Sequence, residues 1–228
     1  MTHQTAIKRP QHVALLGKGL QRAALLGMLA VAMAAPAAAH HPLGGGTPTT
    51  VWHGLLSGIG HPVIGFDHLA FIIAVGIASA FVGLRYIAPA IFVAATVVGC
   101  LLALAAGPLP QLETMISASV ALIGILLLSG RSFPSAGYIA LFAVAGVLHG
   151  GAYAGAVVGA EATPIIAYLL GFGLAQYIIA AVMTFITLRT WQAASAVELK
   201  PRLAGAFIAG VGMTFLVEHI EALAFPGM

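Results

Sequence analysis

Three side chains able to hold a metal ion stand in one short run, His61-Pro62-Val63-Ile64-Gly65-Phe66-Asp67-His68. Imidazole nitrogen together with carboxylate oxygen, and no thiolate, suits borderline divalent cations such as Ni2+, Co2+ or Zn2+. The run lies inside a long apolar stretch, where a charged group near a bilayer centre costs about 2.5–3.5 kcal/mol or more. The apolar stretches hold no Lys or Arg that could pair with it, and a cation is the natural counter-charge. Pro62 has no amide hydrogen, and Gly60 and Gly65 admit unusual backbone angles. These residues predict a broken helix whose exposed carbonyls assist His61, Asp67 and His68 in holding a cation. The plainer alternative makes Asp67 the cap of the second half-helix and the histidines satisfied packing groups.

Further candidates are spread along the chain. His149 is set among Gly146, Gly150, Gly151 and Gly155, about thirteen residues and roughly 20 Å into its apolar segment. It is either a ligand or a polar contact between closely packed helices. Glu113 lies one helical turn from Ser117 on the same face; it is a ligand or an acidic residue favoured by a helix N-terminus. Glu161 falls in a turn and is a ligand or a solvated loop charge. His40 and His41 become an N-terminal amine and imidazole pair if a leader is removed before them, which makes them either a capture site for metal or a loose tail. Glu218, His219 and Glu221 are expected at an exposed helix end, and Gln176 and Tyr177 as polar packing groups.

The elements that must position these groups follow from composition. The chain is 61% apolar and 7% charged, against about 25% charged in soluble domains, so lipid is the expected outer solvent. Its apolar runs are continuous rather than alternating, which excludes a barrel. A single cysteine, Cys100, excludes a disulfide framework and a cysteine metal cluster. Lys8, Arg9, Lys18 and Arg22 precede an apolar run over 23–35, then Pro36 and Ala37-Ala38-Ala39. This pattern predicts a cleavable secretion signal over residues 1–39, an uncleaved anchor being the alternative. A Gly/Pro linker over 40–50 follows, then a transmembrane domain over 51–228. The fold class is an all-α polytopic bundle of six transmembrane helices, the first one broken, near 51–82, 87–106, 112–129, 136–158, 163–188 and 203–224. After the leader, every Lys and Arg (Arg85, Arg131, Arg189, Lys200 and Arg202) falls in alternate turns, which the positive-inside rule assigns to the cytoplasm. Both mature termini are then periplasmic in a bacterial inner membrane. The chain lacks a G-x-x-x-x-G-K-[ST] phosphate loop, so ATP-driven work would need another subunit. The expected partners are a divalent metal ion and the lipid bilayer, with no nucleic acid; an oligomer stays open.

These residues resemble the HupE/UreJ family, the nickel permeases of hydrogenase and urease systems. The likeness rests on His61-x5-Asp67-His68 with Pro62 and Gly65 inside it, and on Glu113-Thr-Met-Ile116-Ser-Ala-Ser119-Val120, similar to an E-x-x-I-A-x-S-V motif with Ser117 where Ala is usual. It rests also on Leu148-His149-Gly150-Gly-Ala-Tyr153-Ala-Gly155, similar to an H-G-x-A-H-G element with Tyr153 in place of the second histidine. The resemblance implies a secondary, non-ATP transporter moving Ni2+ or Co2+ inward, with the metal as cargo and no cofactor permanently bound. Two other classes fit the same residue types: a membrane-embedded zinc-dependent hydrolase, whose metal activates water, and a haem protein with histidine axial ligands.

Overall fold

The computed structural model describes residues 46–225. The expected signal peptide, and His40 and His41 with it, lie outside the described residues. Among the described residues the fold is all-helical. The helices are α1 (Val51–Ile64), α2 (Phe66–Ser79), α3 (Ile87–Ala106), α4 (Leu112–Ser129), α5 (Ser135–Tyr153), α6 (Ala162–Phe185) and α7 (Leu199–Ala224). A 3-10 turn, Ala154–Val157, extends α5, and a π turn, Ile186–Thr190, extends α6.

Five of these helices, α3 to α7, are long and apolar enough to cross a membrane, and the α1–α2 pair makes up to six. Large apolar side chains such as Trp52, Val144, Leu170 and Val182 cover the outside of the bundle, where a soluble protein would carry charge. The chain is a multi-pass membrane protein.

The broken segment differs from expectation in detail. It folds as two helices of 14 residues each, about 21 Å long at 1.5 Å per residue, bent by 80°. Neither alone spans a hydrocarbon core of about 30 Å. The break falls at Gly65 only, and α1 continues through Gly60 and Pro62. A proline removes one bond, here to the carbonyl of Gly58 four residues back. That loss does not end a helix whose Gly58 face is pressed against Tyr168 and Phe172 of α6. Gly65 closes α1 through its amide to the His61 carbonyl at 3.1 Å, and its own carbonyl accepts from Leu69 at 2.8 Å. Its φ of −70° is ordinary. Glycine leaves room there: a Cβ would stand 2.5 Å from Cδ2 of His68 and would displace that imidazole.

At the centre lies α2. Phe71, Ile72, Ala74, Val75, Ile77 and Ala78 are fully buried, as expected of a helix apolar on every side. Around it stand three close pairs, each drawn together by glycine. A side chain at Gly58 would collide with α6, one at Gly150 with Thr96 of α3, and one at Gly212 with Ala121 of α4.

The turns over 80–86, 130–134 and 191–198 gather at one end and line a cavity of about 520 Å³ with Arg85 and Arg131 in its wall. At this arginine end, Arg202 Nε donates to the Leu128 carbonyl at 2.9 Å, a favourable place for a cation near the end of α4.

Candidate functional site

The bend at Gly65 brings His61, at the end of α1, beside Asp67 and His68, in the first turn of α2. The His61 and His68 ring centres are 6.2 Å apart. From α5, His149 joins them, its ring centre 5.0 Å from that of His68. All four side chains are buried, His149 completely. Asp67 accepts the His68 amide at 2.8 Å. The cap position of α2 is Gly65, not Asp67, so the carboxylate lies inside the first turn, where the helix dipole favours it.

Hydrogen bonding fixes where the protons sit. A carbonyl oxygen can only accept. Ser119 therefore donates its hydroxyl proton to the Ile116 carbonyl, at 2.7 Å, and receives a proton from His149 Nε2, at 3.1 Å. That leaves the lone pair of His149 on Nδ1, which faces Nδ1 of His68 at 2.9 Å; His68 donates across this gap. A second relay serves His61. Tyr168 donates to the Tyr153 carbonyl at 2.8 Å and receives from His61 Nδ1 at 2.9 Å, so Nδ1 of His61 carries a proton. Each chain ends on a backbone carbonyl and orients its imidazole, as second-sphere groups do around metal-binding histidines.

Tyr153 lies between the two relays. Its ring centre is 4.9 Å from that of His61 and 4.7 Å from that of His68. It is fully buried, and its hydroxyl has no hydrogen-bond partner among the described residues. Phe71 closes the other side, 4.5 Å from His149 between ring centres. The result is a histidine chamber, with imidazole nitrogens and one carboxylate walled by buried aromatic rings. In this conformation no three His, Cys, Asp or Glu side chains of the described residues are spaced to hold one ion together.

The remaining sequence candidates are placed elsewhere. Glu113 is exposed and lines a cavity of about 510 Å³ at the end opposite the arginines, with Gln111, Thr114 and His219 also in its wall. Gly151, two residues past His149, forms part of that wall. Ser117 donates to the Glu113 carbonyl at 2.9 Å and does not touch the Glu113 carboxylate. Glu161 is exposed where α6 begins, making no side-chain cap bond. Glu218 and Glu221 are exposed, whereas His219 turns into the cavity. Ser119, Tyr153 and Tyr168 were not singled out as site residues from sequence. Ser119 and Tyr153 carried a signal, through the two motifs that contain them, whereas Tyr168 is one aromatic in an apolar run.

No solved structure matches the chain. The chain is similar to Protein HupE of Rhizobium leguminosarum bv. viciae, 30% identical over 135 residues, which cover 54% of this chain and 71% of that protein. A family model described as "HupE / UreJ protein" matches residues 28–215, a stretch that contains both helices of the bend, the Glu113 motif and the His149 motif. The chain belongs to the HupE/UreJ family.

Proposed function

We propose that the protein is a secondary transporter that carries Ni2+ or Co2+ into the cytoplasm, with His61, Asp67, His68 and His149 as its transient buried site. One observation carries this reading: three histidines from three helices meet at an intramembrane bend, with the rings of His61 and His149 oriented by relays that end on carbonyls. A bare divalent ion in a low-dielectric medium forfeits tens of kcal/mol of hydration, so replacement ligands must be ready in the chamber. Asp67 supplies negative charge and the imidazoles supply neutral nitrogen. Two metal–nitrogen bonds of about 2.0–2.1 Å at a right angle put their nitrogens roughly 2.9 Å apart. The spacing of His68 and His149 therefore suits a cation in place of the proton between them, that proton moving to Nε2 of His68 so that both rings stay neutral. Loading then requires His61 and Asp67 to close in around the ion.

The arginine end faces the cytoplasm in this reading, in line with the positive-inside rule, and the cavity holding Glu113 and His219 opens outward. Cleavage after Ala39 leaves His40 and His41 at the outer surface. Together with Glu113 and Glu161 they gather metal at low concentration.

The test is uptake of radiolabelled Ni2+ and Co2+ by cells expressing the protein, normalised to its level in the membrane. Asp67→Asn keeps the shape and removes the charge, and uptake is expected to drop to background. Uptake equal to that of the unaltered protein would make the carboxylate a helix-end group and remove it from the site. One tightly held zinc ion with hydrolytic activity in the purified protein would favour a membrane metallohydrolase instead.

A further inference from the structure

Between the histidine chamber and the arginine end, the described helices contain no carboxylate and no imidazole. Buried polar side chains are nevertheless present on α2 and α6, two helices that meet at Gly76 and Thr184. Tyr168, Phe172, Gln176, Ala180 and Thr184 recur every four residues, so they form one inclined stripe that winds along α6, and all are buried. Phe172 packs on the Tyr153 ring at 5.3 Å between centres. Gln176 stands one turn beyond Phe172, about 6 Å along the helix axis. The stripe then meets α2: Thr184 donates to the Gly76 carbonyl at 2.8 Å. Ser79 follows Gly76 by about one turn, immediately before Ala80 and Phe81, which line the cavity of Arg85 and Arg131.

Gln176 and Ser79 are fully buried. Among the described residues, neither amide atom of Gln176 nor the hydroxyl of Ser79 has a hydrogen-bond partner. A buried polar group left unsatisfied costs about 1–3 kcal/mol, and hydrocarbon around the bundle offers no water to relieve it. Both groups sit in the interior, not at the lipid face, so they cannot reach a headgroup. Polar groups kept in such places face a path or a substrate. A cation leaving the histidines needs oxygen ligands for itself and partners for the waters it regains. An amide and a hydroxyl are neutral and bind weakly, which lets an ion enter without being trapped.

We propose that the α2–α6 seam from Gln176 to Ser79 is the exit leg of the cation route, a lane of neutral polar groups joining the histidine chamber to the cavity at the arginine end. This inference rests on the transport reading above. Thr184, whose hydroxyl is satisfied, serves the packing of the seam.

The test compares Gln176→Leu and Ser79→Ala with Thr184→Val. Three quantities are read for each: Ni2+ uptake per folded protein, Co2+ affinity of the purified protein by visible absorption, and the thermal midpoint. Gln176→Leu is expected to cut uptake at least about tenfold, the equivalent of one unsatisfied polar contact in the passage. Its Co2+ affinity stays within about twofold, and its midpoint does not fall, because an unsatisfied amide has been replaced by hydrocarbon. Ser79→Ala has the same signs and a smaller size. Thr184→Val lowers the midpoint and leaves uptake per folded protein unchanged. Normal uptake by both Gln176→Leu and Ser79→Ala, with Asp67→Asn inactive, would overturn the exit leg and leave the transport reading standing. Loss of uptake and of Co2+ affinity together in Gln176→Leu would also overturn it, by making Gln176 part of the chamber. Absence of uptake by the unaltered protein overturns both.

Discussion

Two stretches of the same helix stripe treat buried polar atoms in opposite ways. At Tyr168 the hydroxyl accepts from His61 and donates to the Tyr153 carbonyl, so the chain of bonds is complete. Two turns further on, neither atom of the Gln176 amide has a partner. The first arrangement rigidifies a side chain; the second leaves it, in the proposed exit leg, available to an ion in transit. The same division runs through the bundle: imidazoles and Asp67 near the bend, neutral groups toward the arginine end. A site that selects an ion needs preset ligands, and a path that releases it needs weak ones.

The contrast breaks most severely if the holding half can lose a histidine without consequence. His149→Ala removes the partner of His68 Nδ1 and cuts the relay through Ser119. Uptake is expected to fall at least about a hundredfold, more than the loss of an outer-sphere partner alone costs. The check is Ni2+ uptake alongside the amount of protein in the membrane. Uptake within about threefold of the unaltered protein would reduce the histidine trio to packing, and the two halves would differ in composition only.

A smaller effect is expected when the relays are cut and the histidines kept. Tyr168→Phe deletes the hydroxyl that orients His61, and Ser119→Ala the one that orients His149. Each is expected to weaken Co2+ binding about 10–100-fold, the range for outer-sphere partners of metal ligands, while maximal uptake changes less. Titration of the purified variants with Co2+ measures this. Equal affinity in both would mean that the imidazoles need no orienting group, and the completed bonds at Tyr168 would lose their significance.

Sequence reading recovers the spans well where punctuation is strong. α3 and α4 have the expected bounds because Gly107 and Gly130 take positive φ, 86° and 64°, at the ends of unbroken apolar runs. α7 begins at Leu199, earlier than the expected 203. Lys200, Pro201 and Arg202 read as a loop, yet proline is well tolerated in the first turn of a helix. The bend was legible as a region and not as a residue, since Pro62 weakens a helix without ending it when one face is buried. The nearness of His61, Asp67 and His68 follows from their spacing. The approach of His149 does not, because it depends on how Gly150 lets α5 close on Thr96 of α3. Tyr168 was invisible because a hydroxyl on an apolar helix says nothing about which imidazole it will meet. Gln176 read as packing for the converse reason: a lack of partners appears only in three dimensions.

The smallest effect is expected at Glu198→Gln, and it tests where the exit half stops. Glu198 occupies the N-cap position of α7 at the arginine end without a side-chain cap bond, and its Oε1 accepts the Ala194 amide in the 191–198 turn at 2.6 Å. Glutamine keeps an oxygen for that bond and loses only the charge, whose interaction with a helix N-terminus is worth about 0.3–1 kcal/mol. Stability should fall by no more than that, and uptake should stay within about twofold. The measurements are the thermal midpoint and Ni2+ uptake at saturating and limiting metal. A large loss of uptake with a normal midpoint would place a carboxylate on the ion's way out. The exit half would then hold the ion by charge, as proposed for the bend, and neutrality would no longer distinguish the two halves.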